Sequence, residues 1–318
     1  MRAILSLALA ALIVGQAAVG SSSSAQSYRS LSRQFAEFAD KTEKVPDEAR
    51  LALFKRDVGA LFPQFYAPAD GQTGEEFDAS VIRALKAFPS LRAEYERAER
   101  EFPAAYAASI GHFRKTFPDF TATLPVWFLH SLGRMDGGTR TFGGKTYMIF
   151  GADVIARIHN DGTMGAFLDH ELFHVENGRW FKDCQPDTMI WCALWQEGAA
   201  TYAASVLNPG ASDHMLMLDQ PRPIRGAVDA RWNDAVCTLS KDLNKADEAT
   251  YASYFYGRDG QQTFPPRWGY YLGYRMMQRL GNRYSLTQIS RFDNAAAHRL
   301  LTQEFGAMVR EAGGCDPK

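Results

Sequence analysis

The sequence predicts an α+β fold that is mainly helical, with one small sheet set between helices. Three features carry that expectation. Over residues 26–117, apolar side chains recur at helical spacing with charged residues between them. Two short aromatic and β-branched runs follow, at 123–129 and 145–151, with a glycine-rich stretch between them. From residue 164 to residue 311 the pattern returns to helices separated by turn-forming residues.

The chain has 318 residues, 46% of them hydrophobic, and a formal net charge of −1. That length suits one large domain, or a domain with a helical annex. Balanced charge without a Lys/Arg run gives no footing for nucleic acid or an anionic membrane surface. Residues 1–25 read as a signal peptide: Arg2, an apolar run over 3–14, then small residues ending in Ser23-Ser24-Ala25. The mature protein is therefore expected to be exported, periplasmic or secreted, with no stable membrane insertion after cleavage. Its four cysteines, Cys184, Cys192, Cys237 and Cys315, are expected to pair as disulfides in that compartment. Of three connectivities, Cys184–Cys192 with Cys237–Cys315 is favoured, because the first pair flanks a loop and the second pins the C-terminal tail.

Residues 26–117 form the N-terminal helical region. Leu31, Phe35 and Phe38 mark its first helix, and Pro46-Asp47-Glu48 starts the next. A loop at 68–74 precedes three further helices, at 79–88, 91–102 and 104–113. Residues 118–318 form the second region. The run 123–129 reads as a strand, with Pro125 better suited to a sheet edge than its centre. Residues 133–144 read as a loop or irregular edge, and 145–151 as a strand. Residues 153–156 fit either a strand or a helix. Asn160-Asp161-Gly162-Thr163 offers capping oxygens for a helix that Asn177-Gly178 ends in the left-handed conformation. Further helices are expected at 190–207, 227–243, 246–255, 268–280, 285–292 and 295–311.

The chemistry centres on His170-Glu171-Leu172-Phe173-His174. Histidines four residues apart on a helix share one face, about 6 Å apart along the axis. Both imidazoles can reach one zinc ion, with Glu171 beside them as base. Catalytic zinc keeps three protein ligands and an open position. Position 180 holds Trp and position 177 Asn, so the three-histidine extension of this motif is absent. Glu197 is the candidate third ligand: it lies on the next helix, beside Gly198, Ala199 and Ala200, whose small size permits close helix approach. Glu176 and Asp183 are weaker rivals. Asp169 is read as either an outer hydrogen-bonding group or a solvated residue, and Thr201 as a candidate orienter of a ligand. In Arg267-Trp268-Gly269-Tyr270-Tyr271-Leu272-Gly273-Tyr274-Arg275, Tyr270 and Tyr274 share one helix face and are candidate donors to an oxyanion, with Tyr202 as an alternative. The two glycines admit close approach to that backbone. His112, His130, His159, His214 and His298 show no partner pattern.

HExxH, the helix Glu197-Gly198-Ala199-Ala200-Thr201-Tyr202 and the later Gly269 to Tyr274 together resemble the gluzincin side of the zincin metallopeptidases. The closer resemblance is to a largely uncharacterised family of zinc-dependent proteases, over residues 118–305. The resemblance implies a zincin-like catalytic domain, Zn2+ held by His170, His174 and Glu197, Glu171 as base, and a peptide or protein substrate. It also implies an edge strand along the cleft to which a peptide can add, here assigned to Gly137-Gly138-Thr139 and 146–150. Two other functions fit the same residues: a non-catalytic binding protein on a zincin scaffold, and a zinc hydrolase of a non-peptide amide.

Overall fold

The structure is a computed structural model that describes residues 28–159, 162–182, 184–256 and 263–315. The signal peptide expected at 1–25, the capping pair Asn160-Asp161 and the rival ligand Asp183 lie outside the described residues. The chain begins with strand β1 (Tyr28–Ser30), then helices α1 (Ser32–Lys41) and α2 (Asp47–Asp57), and the long helix α3 (Gly74–Thr116). Strands β2 (Val126–Leu129), β3 (Thr139–Phe142) and β4 (Lys145–Gly151) complete one sheet. Helices α4 (Ala152–Ile158), α5 (Met164–Asn177) and α6 (Ile190–Leu207) follow. The C-terminal part contains α7 (Arg225–Asp229), α8 (Trp232–Asp242), α9 (Glu248–Phe255), α10 (Trp268–Gly281), α11 (Leu286–Ser290) and α12 (Asn294–Glu311). The fold is α+β and mainly helical.

Helix α3 departs most from expectation. Three helices were expected; one 43-residue helix runs through Pro89 and Pro103, about 65 Å long at 1.5 Å per residue. Each proline removes one helical hydrogen bond, but several features of the helix offset that loss. A capping box opens it: the Thr73 hydroxyl accepts from the Glu76 N–H at 3.2 Å, and the Glu76 carboxylate accepts from the Thr73 N–H at 2.8 Å. Glu75 and Glu76 in the first turn and Arg114 and Lys115 in the last complement the helix dipole. Phe77, Val81, Leu85, Phe88, Tyr95, Phe102, Tyr106 and Phe113 form a continuous buried stripe. That stripe lies on the sheet, where the Phe102 ring is 4.4 Å from Phe128 and 4.8 Å from Phe150.

The sheet order is β1-β2-β4-β3. β1 and β4 flank β2 in parallel, with Tyr28 opposite Val126 and Val126 opposite Met148. β3 is the antiparallel outer strand, with Thr139 opposite Met148. The N-terminal segment therefore contributes a strand as well as helices. Strand β2 is central. Pro125 sits just before it and needs only its carbonyl, which accepts from the Met148 N–H at 2.9 Å. Residues 146–150 lie inside the sheet, so the free edge beside the glycine-rich loop is β3 alone. One hydrophobic core runs from Leu31, just before α1, and Phe35 within it through the sheet to Met308 in α12.

Two other local expectations change. Gly178 has φ −62° and is right-handed, its N–H still bonded to the His174 carbonyl at 2.9 Å; α5 ends where Arg179 and Trp180 tighten onto the Glu176 and Asn177 carbonyls, while the Asn177 amide donates to the Ser290 carbonyl at 3.0 Å. The segment expected as one helix over 227–243 breaks between α7 and α8 at Ala230-Arg231. Both favoured cysteine pairs are bonded, with Cα–Cα distances of 6.2 Å for Cys184–Cys192 and 5.3 Å for Cys237–Cys315. Among the described residues no helix is long and apolar enough to cross a membrane.

Candidate metal centre

Helix α5 is anchored by Phe167, Leu168, Leu172 and Phe173, all buried, which turns His170 and His174 toward a cleft. The two Nε2 atoms are 3.0 Å apart. Glu197 on α6 places Oε2 3.2 Å from His170 Nε2 and 3.5 Å from His174 Nε2. Zinc bound by nitrogen and oxygen at about 2.0–2.1 Å in tetrahedral geometry has ligand–ligand edges of about 3.3 Å. The three separations bracket that edge, so the donor set fits such an ion. Among the described residues this trio is the one group of His, Cys, Asp and Glu with converging donor atoms. Glu176, a rival third ligand, turns away to pair with Arg179 at 2.8 Å.

Glu197 owes its position to a crossing that the sequence did not reveal. Gly198 was expected to ease approach toward the motif helix; instead it meets α10. A Cβ on Gly198 would lie 2.5 Å from the Gly273 carbonyl carbon, and one on Gly273 would lie 2.8 Å from the Gly198 Cα. The backbones of α6 and α10 touch one residue after the candidate ligand. Gly269 is approached by the Phe255 ring.

The cleft is about 630 Å³ and passes between Asp136 to Arg140 on one side and Tyr251, Arg267 and Tyr270 on another. Glu171 lies on its floor, 8% exposed. Gly137 presses against it: a side chain there would come within 3.1 Å of Glu171 Cγ and 2.7 Å of the Phe167 ring. Burial pushes the Glu171 carboxyl up to about 8; Asp136 and Glu197 add to the rise, and His174 and Arg140 oppose it. His174 is also raised, to about 9, because the pull of Glu197 and Glu171 outweighs burial, which acts the other way. Burial lowers His170. Burial works to raise Glu197, but its two histidine partners hold the carboxylate well below its usual range.

Of the candidate donors, Tyr270 lines the cleft, its ring stacked 6.5 Å from His170. Tyr274 is one turn further along α10 and away from the cleft, with its hydroxyl accepting from Gln278 at 3.0 Å. Tyr202 packs its hydroxyl against Gly281. Asp169 is neither solvated nor in contact with a candidate ligand. It is 1% exposed, accepts from the Asn208 amide at 2.9 Å and meets His112 Nδ1 at 3.2 Å, tying α5 to α6 and α3. Thr201 is buried with its hydroxyl unpartnered and orients neither histidine.

Sequence reasoning passed over Asp136 and Arg140, and it gave Arg267, within the tyrosine-rich stretch, no role. Asp136 caps its own loop, accepting from the Gly137 N–H at 2.9 Å, and meets His159 Nε2 at 3.4 Å. The signal available for it was the Asp-Gly-Gly order. Arg267 stands at φ 66° immediately before α10, a conformation that nothing in an Arg-Trp-Gly sequence announces. Compared with protein-family models, curated proteins and solved structures, the chain finds no match.

Proposed function

We propose that this protein is a zinc-dependent peptidase, exported through its N-terminal segment. The observation that carries the reading is the convergence of His170, His174 and Glu197 donors within 3.0–3.5 Å in an open cleft, with the Glu171 carboxylate on its floor. Zinc held by those three side chains would supply Lewis acidity, acidifying a water and polarising a carbonyl. Glu171 takes the proton from the attacking water and passes it to the leaving amine, a task suited to a carboxylate on the cleft floor beside the donor trio. The Tyr270 hydroxyl donates to the oxyanion; burial raises its pKa, so it keeps its proton at working pH. The exposed outer strand β3 continues from cleft residues Gly137 and Gly138 and offers free backbone groups to an extended peptide. Export is supported by the two disulfides and by the absence, among the described residues, of a membrane-spanning helix.

The test pairs metal analysis with hydrolysis of a quenched peptide library. Wild type should carry about one zinc per chain and cleave. Glu171→Gln should keep zinc and lose at least about 100-fold in kcat, and Glu197→Ala should lose zinc. A metal-free wild type, or a fully active Glu171→Gln, would sink the proposal.

A further inference from the structure

Three arginines line the cleft, and two of them are occupied. Arg134 donates to the Phe65 and Ala67 carbonyls, both at 2.8 Å, and lies over the Phe65 and Phe77 rings. Arg140 donates to its neighbour, the Thr139 carbonyl, at 2.8 Å. Arg267 differs. Among the described residues its guanidinium meets no carboxylate or carbonyl, only the face of the Tyr270 ring, 4.5 Å from the centroid. Asp136 across the cleft feels the Arg267 charge, but its own contacts run to the Gly137 N–H and His159, not to the guanidinium. The side chain is half-buried, so its charge is partly stripped of water while, among the described residues, its N–H donors hold no carboxylate in a hydrogen bond. That is the state of an arginine that completes its hydrogen bonding with a ligand.

We infer that Arg267 is a specificity-determining residue that binds a carboxylate of the substrate. The Tyr270 centroid, 4.5 Å from the guanidinium, is 6.5 Å from that of His170, so at most about 11 Å separates Arg267 from the His170 ring. An extended chain covers that distance in about three residues, which puts the recognised carboxylate within three residues of the bond presented to Glu171. The guanidinium fork takes a carboxylate in two parallel hydrogen bonds. Two sources share this chemistry: the free C-terminus of a short peptide, and an Asp or Glu side chain close to the scissile bond. The left-handed backbone at Arg267 is consistent with a side chain held in place for a ligand, since such φ values are costly away from glycine.

The inference rests on the peptide reading for the identity of the ligand, but binding can test it without turnover. Full-length protein would be titrated with pooled N-acetylated hexapeptides in four forms: free acid or amidated, each with Asp or with Asn at the central positions. A C-terminal anchor predicts a free-acid preference, and a side-chain anchor an Asp preference. Either should reach at least about tenfold, as a hydrogen-bonded charge is worth, and should vanish in Arg267→Gln while Arg267→Lys keeps part of it. If the library is never cleaved yet the preference is present and depends on Arg267, the peptidase proposal fails and this one stands. Equal binding of all four pools, or a preference unchanged in Arg267→Gln, overturns it. Where turnover is measured, the variant should raise KM for the preferred pool well beyond any change on the neutral pool; equal changes in KM and kcat on both pools would overturn the specificity role.

Discussion

The crossing of α6 and α10 offers the most direct test of how the site is built. In Gly198→Ala the new methyl carbon would stand 2.5–2.7 Å from the Gly273 carbonyl carbon, Cα and oxygen. These are backbone atoms in the middle of a 14-residue helix and cannot swing aside as a side chain could. Restoring ordinary van der Waals distance requires the helices to part by about 1 Å. Overpacking of this kind costs about 3 kcal/mol at its upper range. Replacing a mid-helix glycine returns about 1 kcal/mol of backbone entropy. The net expectation is a loss of about 2 kcal/mol, which for a chain of this size lowers Tm by about 3 °C. Glu197 precedes the altered residue, so the displacement is transmitted to a donor whose separations from the two histidines are 3.2 and 3.5 Å. Zinc affinity should therefore fall along with stability. The control is Gly306→Ala, also inside a helix, where the nearest atom to a new methyl is the end of the Arg310 side chain at 3.5 Å; it should be neutral or stabilising by up to about 1 kcal/mol. Thermal melts and metal content of the two variants decide the matter. A Gly198→Ala protein that melts with wild type and binds zinc as tightly would mean the two backbones do not touch.

Two more expectations concern groups away from the cleft. His130 is 1% exposed, its ring stacked 3.8 Å from Phe35 with Tyr95 close by, and burial pulls its pKa down to about 4 despite Asp153. The unfolded chain, titrating near 6.5, binds this proton first, so stability should fall as pH drops from about 6.5 to about 4, by about 3 kcal/mol in all. Denaturation curves across that window should be flatter for His130→Phe, and parallel curves for the two proteins would refute the burial argument. For Asp169→Ala, the Asn208 amide and His112 lose their acceptor, so a loss of about 2 kcal/mol is expected with zinc stoichiometry unchanged; loss of metal at full stability would restore Asp169 as a group that orients the site.

What was legible in the sequence follows from how local each cause is. The span of α6, residues 190–207, is written in an apolar, small-residue pattern, broken chiefly by Gln196-Glu197, with Asn208-Pro209 at its end. The HExxH face needs only helical periodicity. The disulfide pairs follow from an even number of cysteines and their spacing. The features that escaped depend on partners distant in sequence. Strand β1 is three residues, Tyr-Arg-Ser, with no alternation to read, and exists because β2 leaves an edge for it. The prolines that appear to divide α3 are outweighed by a stripe that meets the sheet and α5, neither of which its own sequence reveals. Tyr270 and Tyr274 share a helix face, as their four-residue spacing requires, but the direction in which α10 crosses α6 brings only the first to the cleft.

That distinction bears on how the donor trio is specified. His170 and His174 are placed by one helix, and their Nε2 separation of 3.0 Å is a property of that helix and its rotamers. Glu197 belongs to a second helix, and its approach is set where Gly198 meets Gly273, on the side of α6 that faces α10. The same α10 carries Tyr270 and is preceded by Arg267. The candidate third ligand, the candidate oxyanion donor and the proposed carboxylate anchor are thus registered to one another where α6 and α10 meet at Gly198, Gly273 and the Leu194 carbonyl. Substitutions at Gly273 should therefore disturb metal affinity and carboxylate preference together, whereas substitutions at Arg267 should disturb the preference and leave metal stoichiometry in place.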